Sequence, residues 1–180
     1  MELNEKTLEV EQIFNGKIID LTREKVELPN GNESIREVIH HPGGVCIVPI
    51  DENGDVYFVK QFRYPFKSVL MEIPAGKLEK GEDHRTCGIR ELKEEIGAAA
   101  KRFEYLGCLY PTVAYDTEII HMYLARELSF GKQDLDDDEF INITKMPLKK
   151  AIEMVMANEI PDSKTQLALL KAYMILKDSE

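Results

Sequence analysis

The sequence has no long apolar run, few cysteines and fewer basic than acidic residues. Its longest strongly apolar stretch, Val45 to Ile50, falls far short of the roughly 20 residues that span a bilayer, so no membrane partner is expected. Its three cysteines, Cys46, Cys87 and Cys108, are odd in number and form no C-x-x-C pair. That fits reduced thiols inside a cell and excludes a disulfide scaffold. Lys and Arg total 23 against 33 Asp and Glu, a formal net charge of −10. General nucleic-acid and anionic-membrane binders need a basic surface, so no nucleic-acid partner is expected. A phosphorylated substrate stays open if local arginines or metal cations offset the repulsion. Met1-Glu2-Leu3-Asn4-Glu5 lacks the basic and apolar regions of a signal peptide. The expected location is cytoplasmic. No internal repeat or low-complexity segment is evident.

What is present reads as an ordinary globular chain, 43% hydrophobic and 31% charged over 180 residues. That length suits one domain with a small appendage and buries roughly 68–70% of the unfolded surface without a disulfide. Lys17 to Leu28 is rich in Ile, Leu and Val and ends at the turn Pro29-Asn30-Gly31-Asn32. Glu33 to His40 is its expected return strand, giving a small N-terminal sheet. Val45 to Ile50 and Val56 to Phe62 flank Asn53-Gly54 and read as a hairpin. Phe103 to Leu109 and Glu118 to Leu124 read as further strands. Leu148 to Ala157 reads as a short helix. A longer helix, Ser163 to Lys177, carries Leu167, Leu170 and Met174 on one face. The order of strands, helix, strands and helices predicts an α+β fold, an α/β/α sandwich with a mixed sheet.

The chemistry concentrates between Gly76 and Gly97. A helix is expected from Asp83 to Ile96, stopped by Gly97. At 100° per residue Glu91, Glu94 and Glu95 share one face, with Ile89, Leu92 and Ile96 opposite and available for the core. Arg90 stands four residues before Glu94 and can pair with it. Three carboxylates on one face repel unless something positive sits among them. Hard divalent cations such as Mg²⁺ take such oxygen ligands and leave positions for water and phosphates. The Gly-rich stretch before the helix can bend to bring Glu82 and a backbone carbonyl near that face. A lone E-x-x-E-E would read as a solvated acidic helix. The full pattern is G-x5-E-x7-R-E-Leu-x-E-E-x-G, with seven Gly, Glu and Arg positions fixed. Chance matches are on the order of 10⁻⁸ per window at about 7% usage per residue type.

Gly76 to Ala98 resembles the Nudix box, with every fixed Gly, Glu and Arg present and Ala98 where a bulkier aliphatic residue is usual. The wider chain resembles the ADP-ribose pyrophosphatase branch of that family. The resemblance is carried by His41-Pro42-Gly43-Gly44-Val45, Val59-Lys60-Gln61-Phe62-Arg63-Tyr64-Pro65 and Glu72-Ile73-Pro74-Ala75-Gly76. It extends to the acidic loop Asp134 to Glu139 and the C-terminal helix. It implies a Nudix-type fold, with residues 1–42 as a strand extension for dimerisation and 43–180 as the hydrolase domain. It implies Mg²⁺, or Mn²⁺, as cofactor, a nucleoside diphosphate sugar as substrate and a homodimer. Hydrolysis of ADP-ribose would give AMP and ribose 5-phosphate.

The resemblance also implies roles. Glu91 and Glu95 would ligate metal, Glu94 would ligate or bridge, and the Ala75 carbonyl would complete the site. Arg90 would orient these carboxylates. Glu82 would support the loop or bind an outer metal, and Gly76 would line the substrate site. Arg63 would reach a phosphate or the terminal ribose, though a structural salt bridge fits it nearly as well. A carboxylate among Asp136, Asp137, Asp138 and Glu139 would assist the attacking water, Glu139 first. Glu118 is a second polar candidate near substrate.

One position departs from the branch. Its ADP-ribose-cleaving members usually carry proline sixteen residues past the last glycine of the box, where this chain has Val113. Pro111 stands two residues earlier. Other nucleotide sugars, dinucleoside polyphosphates and a non-catalytic ligand-sensing role therefore stay open. His40, His41, His84 and His121 lack metal-ligand spacing. Phe103, Tyr105, Tyr110 and Tyr123 read as strand core. Phe14 and Tyr115 are candidates for stacking on a base.

Overall fold

The computed structural model describes residues 2–135 and 139–177. Asp136, Asp137 and Asp138 lie outside the described residues. Contacts divide the chain into two compact units, described separately. The first is the described part of Met1–Gly43 with Tyr110–Ile119, and the second is Gly44–Leu109 with the described part of Ile120–Glu180.

The first unit is an antiparallel sheet of three strands, β1 (Lys6–Asn15), β2 (Asp20–Glu27) and β3 (Glu33–His40), in the order β1-β2-β3. The expected strand pair is therefore incomplete. β1 was not foreseen, because all ten of its residues are exposed and no single buried face marks it. Opposite charges stand across the strands. Arg23 faces Glu11 on one side and Glu37 on the other, and its guanidinium bonds Glu11. Such cross-strand pairs contribute a few tenths of a kcal/mol each, roughly. Tyr110–Ile119 joins this unit beside β3. The Ile39 N–H donates to the Tyr115 carbonyl at 2.7 Å, and the Thr117 N–H donates to the Ile39 carbonyl at 3.0 Å.

The second unit holds two sheets. β4 (Gly44–Pro49), β7 (Ala75–Lys77), β8 (Ala98–Leu109) and β9 (Ile120–Phe130) form a mixed sheet in the order β7-β4-β9-β8. β4 runs parallel to β9 and antiparallel to β7. β5 (Asp55–Arg63), β6 (Ser68–Glu72) and β10 (Ile141–Pro147) form an antiparallel sheet in the order β10-β5-β6. Helices α1 (His84–Ile96), α2 (Leu148–Met156) and α3 (Ser163–Lys177) complete the α+β fold. No helix among the described residues is long and apolar enough to cross a membrane.

The expected hairpin around Asn53-Gly54 does not form as a ladder. β4 and β5 belong to different sheets and share one isolated bridge, Ile50 to Val56. The reason is burial. Every residue of β4 is buried, so both of its faces need cover. Val45 and Ile47 pack with Cys87, Leu92 and Ile96 of α1, whereas Cys46 and Val48 pack with Ala168, Leu169 and Ala172 of α3. The turn hands the chain from one sheet to the other.

In α1 the expected Leu92 and Ile96 are buried but Ile89 is not, and in α3 the buried face is not the one that carries Leu167 and Met174. In α1 the buried arc contains Cys87, Gly88, Glu91, Leu92, Glu95 and Ile96. Two carboxylates thus lie inside it, and Ile89 is 47% exposed. In α3 the buried residues are Thr165, Ala168, Leu169 and Ala172. Leu167, Leu170 and Met174 do not form the core face, and Met174 is 55% exposed. Large apolar residues surround α3, so their spacing did not single out a side. The two alanines let the helix approach the sheet closely. Phe103 and Tyr123 are core as expected, but Tyr105 and Tyr110 are exposed.

Candidate active site

Helix α1 is fixed at both ends. The Asp83 carboxylate accepts from the Arg85 and Thr86 N–H groups, an N-cap that satisfies two donors otherwise left open. At the other end Gly97 adopts φ +66° and donates to the Lys93 carbonyl at 2.9 Å. A Cβ there would stand 2.7 Å from the Gly131 carbonyl oxygen, so glycine is required. The last carbonyls of α1 are taken up by the chain after β9. The Gly131 N–H donates to Gly97 at 2.7 Å, the Asp134 N–H to Glu94 at 3.1 Å and Gln133 Nε2 to Glu95 at 2.5 Å. Residues 131–134 are thereby fastened to the helix that carries the carboxylates.

Arg90 organises those carboxylates. Its Nη1 donates to Glu91 at 2.7 Å and to Glu94 at 2.8 Å. Its Nε and Nη2 each reach Glu82 at 3.0 Å. Glu82 also accepts the Glu79 N–H at 3.0 Å, so it ties the preceding loop to Arg90. The hydrogen bonds from Arg90 hold the Glu82 carboxyl down at about 2. The expected pairing of Arg90 with Glu94 is one of three.

Glu91 and Glu95 are buried, with exposures of 8% and 4%. Glu91 lies so close to Gly76 that a Cβ there would fall 1.8 Å from its carboxyl carbon. Gly76 is thus a close-approach glycine whose side any larger residue would fill. Glu95 accepts the Ala75 N–H at 2.9 Å. Burial pushes its carboxyl up to about 8; the Ala75 N–H opposes this, and the charges of Glu91 and Glu139 add to it. Burial also raises Glu91, partly offset by Arg90 and reinforced by Glu94 and Glu139. Glu91, Glu95 and Glu139 are therefore near enough to feel one another's charge.

The donor set fits a hard divalent cation. It consists of carboxylate oxygens with the Ala75 backbone alongside, and burial pushes both Glu91 and Glu95 toward their protonated forms, a cost that a cation bound between them would offset. Among the described residues no three His, Cys or acidic side chains stand as a preformed cage. Arg90 and the Ala75 N–H hold the carboxylates instead.

Arg63 forms a two-pronged salt bridge with Glu72, Nε at 2.6 Å and Nη2 at 2.7 Å. Glu72 is 2% exposed and also accepts from Lys164 Nζ, which donates to Asp162 at 3.0 Å as well. Sequence reasoning gave Glu72, Asp162, Lys164 and Thr165 no role. Asp162 alone carried a signal, standing where an N-cap precedes α3. Glu118 belongs to the first unit, 3.6 Å from His41 Nδ1. Val113, Tyr115 and Phe14 also belong to that unit and are exposed.

A NUDIX domain profile matches residues 40–169. The chain belongs to the Nudix hydrolase family. The profile of the nucleoside diphosphate sugar hydrolase N-terminal domain matches residues 5–39. The chain is 44% identical over 179 residues to an ADP-ribose pyrophosphatase of Bacillus subtilis (strain 168), covering 98% of this chain and 96% of that one. It is 41% identical over 177 residues to a methanol dehydrogenase activator of Bacillus methanolicus, covering 97% and 95%. The crystal structure of an ADP compounds hydrolase aligns with a TM-score of 0.88 at 20% identity, over 99% of this chain and 98% of that one. That likeness supports the Nudix fold.

The Glu72 salt bridge makes a pH-dependent contribution to stability. Burial alone would raise Glu72, but Arg63 and Lys164 outweigh it and hold the carboxyl at about 2 against the ordinary 4.5. A depressed carboxyl stabilises the fold above about 4.5, and this is lost as pH falls toward 2. Glu72→Gln should therefore cost about 3 kcal/mol at pH 7, the low end for a broken buried pair because Arg63 keeps 40% of its side chain exposed. Urea unfolding at pH 7 and pH 3 should show that difference narrowing at the lower pH. An equal loss at both values would refute the assignment.

Proposed function

We propose that the chain hydrolyses the diphosphate of ADP-ribose or a related nucleoside diphosphate sugar, with Mg²⁺ as its metal and Mn²⁺ as a substitute. The observation that carries this is the buried Glu91 and Glu95 pair, set against the close-approach Gly76 and the Ala75 backbone. Full-length similarity to an ADP-ribose pyrophosphatase supports the substrate class.

Glu91, Glu94, Glu95 and the Ala75 carbonyl would hold the metal. When bound, such an ion neutralises phosphate oxygens, acidifies water and stabilises the leaving phosphate. Arg90 orients the carboxylates, and Glu82 holds Arg90 and the loop. Glu139 is the candidate general base that the family resemblance implies, and it lies near enough to Glu91 and Glu95 to raise both. A positioned base typically contributes about 10²–10⁴-fold. Arg63, held by Glu72 through Nε and Nη2, is the candidate for a substrate phosphate through Nη1. Gly76 lines the site. The complete carboxylate set favours catalysis over ligand sensing.

We further propose a homodimer built through the first unit. β1 is a ten-residue sheet edge, and Val10, Phe14 and Ile35 of this unit are each more than half exposed. A sheet edge of this length leaves backbone N–H and C=O groups that can pair with another chain. Light scattering at micromolar concentration should return twice the chain mass of 20.6 kDa, and a single-chain mass would overturn the dimer.

The activity is tested by phosphate release with excess alkaline phosphatase, in Mg²⁺ and in EDTA. The panel holds ADP-ribose, GDP-mannose, UDP-glucose, NADH and diadenosine polyphosphates. Metal-dependent release, greatest with ADP-ribose, is expected. Glu95→Gln should lower it by about 10²-fold or more, the few kcal/mol a polarising cation supplies. Cleavage of no member would sink the catalytic reading.

A further inference from the structure

The segment from Glu72 to Ala75 carries the backbone that meets Glu95, and it crosses from one sheet to the other. β6 ends at Glu72 in the β10-β5-β6 sheet, and β7 begins at Ala75 in the mixed sheet. β7 itself is short, pairing with β4 over three residues. Pro74 has no N–H, and its carbonyl accepts from the Ile47 N–H at 2.9 Å. Glu72 pairs with Val59 of β5 and is gripped by the Arg63 fork, and further holds come from the first turn of α3, about ninety residues away in sequence. Thr165 Oγ1 accepts the buried Ile73 N–H at 3.0 Å. Lys164 Nζ donates to the Glu72 carboxylate.

Asp162 sets both groups. Its Oδ1 accepts from Lys164 Nζ at 3.0 Å, and its Oδ2 accepts from Thr165 Oγ1 at 2.6 Å and the Thr165 N–H at 3.0 Å. Thr165 therefore donates its hydroxyl proton to Asp162 and offers a lone pair to the Ile73 N–H. Lys164 keeps 12% side-chain exposure, Glu72 3% and Asp162 17%. With Arg63 the four charges sum to zero, so the cluster is neutral as a unit. Nothing in the hydrolytic chemistry needs an ammonium at this place.

We propose that Lys164 and Thr165 are positioning residues for the metal site: from the start of α3 they fix Glu72 and Ile73, and so set where Ala75 meets Glu95. This rests on reading Glu91, Glu94, Glu95 and the Ala75 carbonyl as metal ligands. The sign of the effect separates positioning from charge. Removing a cation beside an acidic site strengthens cation binding if only charge matters. Loss of the clamp weakens it, and outer-shell partners of metal ligands typically contribute about 10–100-fold in affinity.

The test is Mn²⁺ binding to the full chain, read from the electron paramagnetic resonance of free Mn²⁺, with no substrate present. Lys164→Met should weaken binding about tenfold, measured below its own unfolding temperature. Thr165→Val, which changes no charge, should weaken it in the same direction, and Thr165→Ser should restore it to within about threefold. Should Lys164→Met fail to fold, the threonine pair decides alone. Binding as tight as, or tighter than, the unmodified chain in either folded variant overturns this proposal and leaves the metal-site reading standing. Absence of Mn²⁺ binding in the unmodified chain overturns both. Binding by the unmodified chain without hydrolysis of any nucleotide sugar overturns the substrate reading alone.

Discussion

One guanidinium decides how the carboxylates of α1 can coexist. Arg90 donates to Glu82, Glu91 and Glu94 at once. Without it, like charges at i, i+3 and i+4 would oppose the helix that displays them. Arg90 cannot lose its proton in any ordinary range, and these contacts raise its proton affinity further. A lysine in its place would offer one point charge where three carboxylates need a fork. The same contact ties the loop before α1 to the helix through Glu82 and Glu79, so helix and loop are organised by one side chain. Glu95 lies outside this arrangement, deeper and without Arg90. Burial raises its proton affinity.

Legibility in the sequence followed how locally each feature is determined. The box from Gly76 to Gly97 was readable because its geometry comes from helix period, a capping glycine and residue type. The need for Gly76 becomes concrete only in three dimensions, where the Glu91 carboxyl occupies the space a side chain would take. The same box misled about burial. Helical spacing set carboxylates and apolar residues on opposite sides, yet one arc buries Glu91 and Leu92 together. A helix can bury acid and hydrocarbon on adjacent faces, and period alone does not distinguish the two.

Features that depend on distant partners were less legible. β1 has no buried face, so alternation had nothing to report. The strands around Asn53-Gly54 have hairpin chemistry, but β4 needs parallel β9 beside it and helices on both faces, and that demand overrides the turn. In α3 two alanines, a threonine and Leu169 make the buried face, while Leu167 and Met174 remain exposed. The small residues on that face allow close approach. Thr165 and Lys164 look in the sequence like ordinary residues of a helix start. Their partners are set by tertiary approach across about ninety positions.

The charge balance closes an argument that composition opened. A chain of net charge −10 acting on a diphosphate needs local positive charge. Of the cations near the site, Arg90 is shared among three carboxylates, Lys164 is held between two, and Arg63 spends Nε and Nη2 on Glu72. Their charges are largely matched within the protein before any substrate arrives. On the proposed reading Arg63 would offer Nη1 to a phosphate, with most of its charge already matched by Glu72. On the proposed reading the remaining positive charge would come from ions held by the carboxylates, and the acidity of the site would then be the means by which it accepts an anionic substrate.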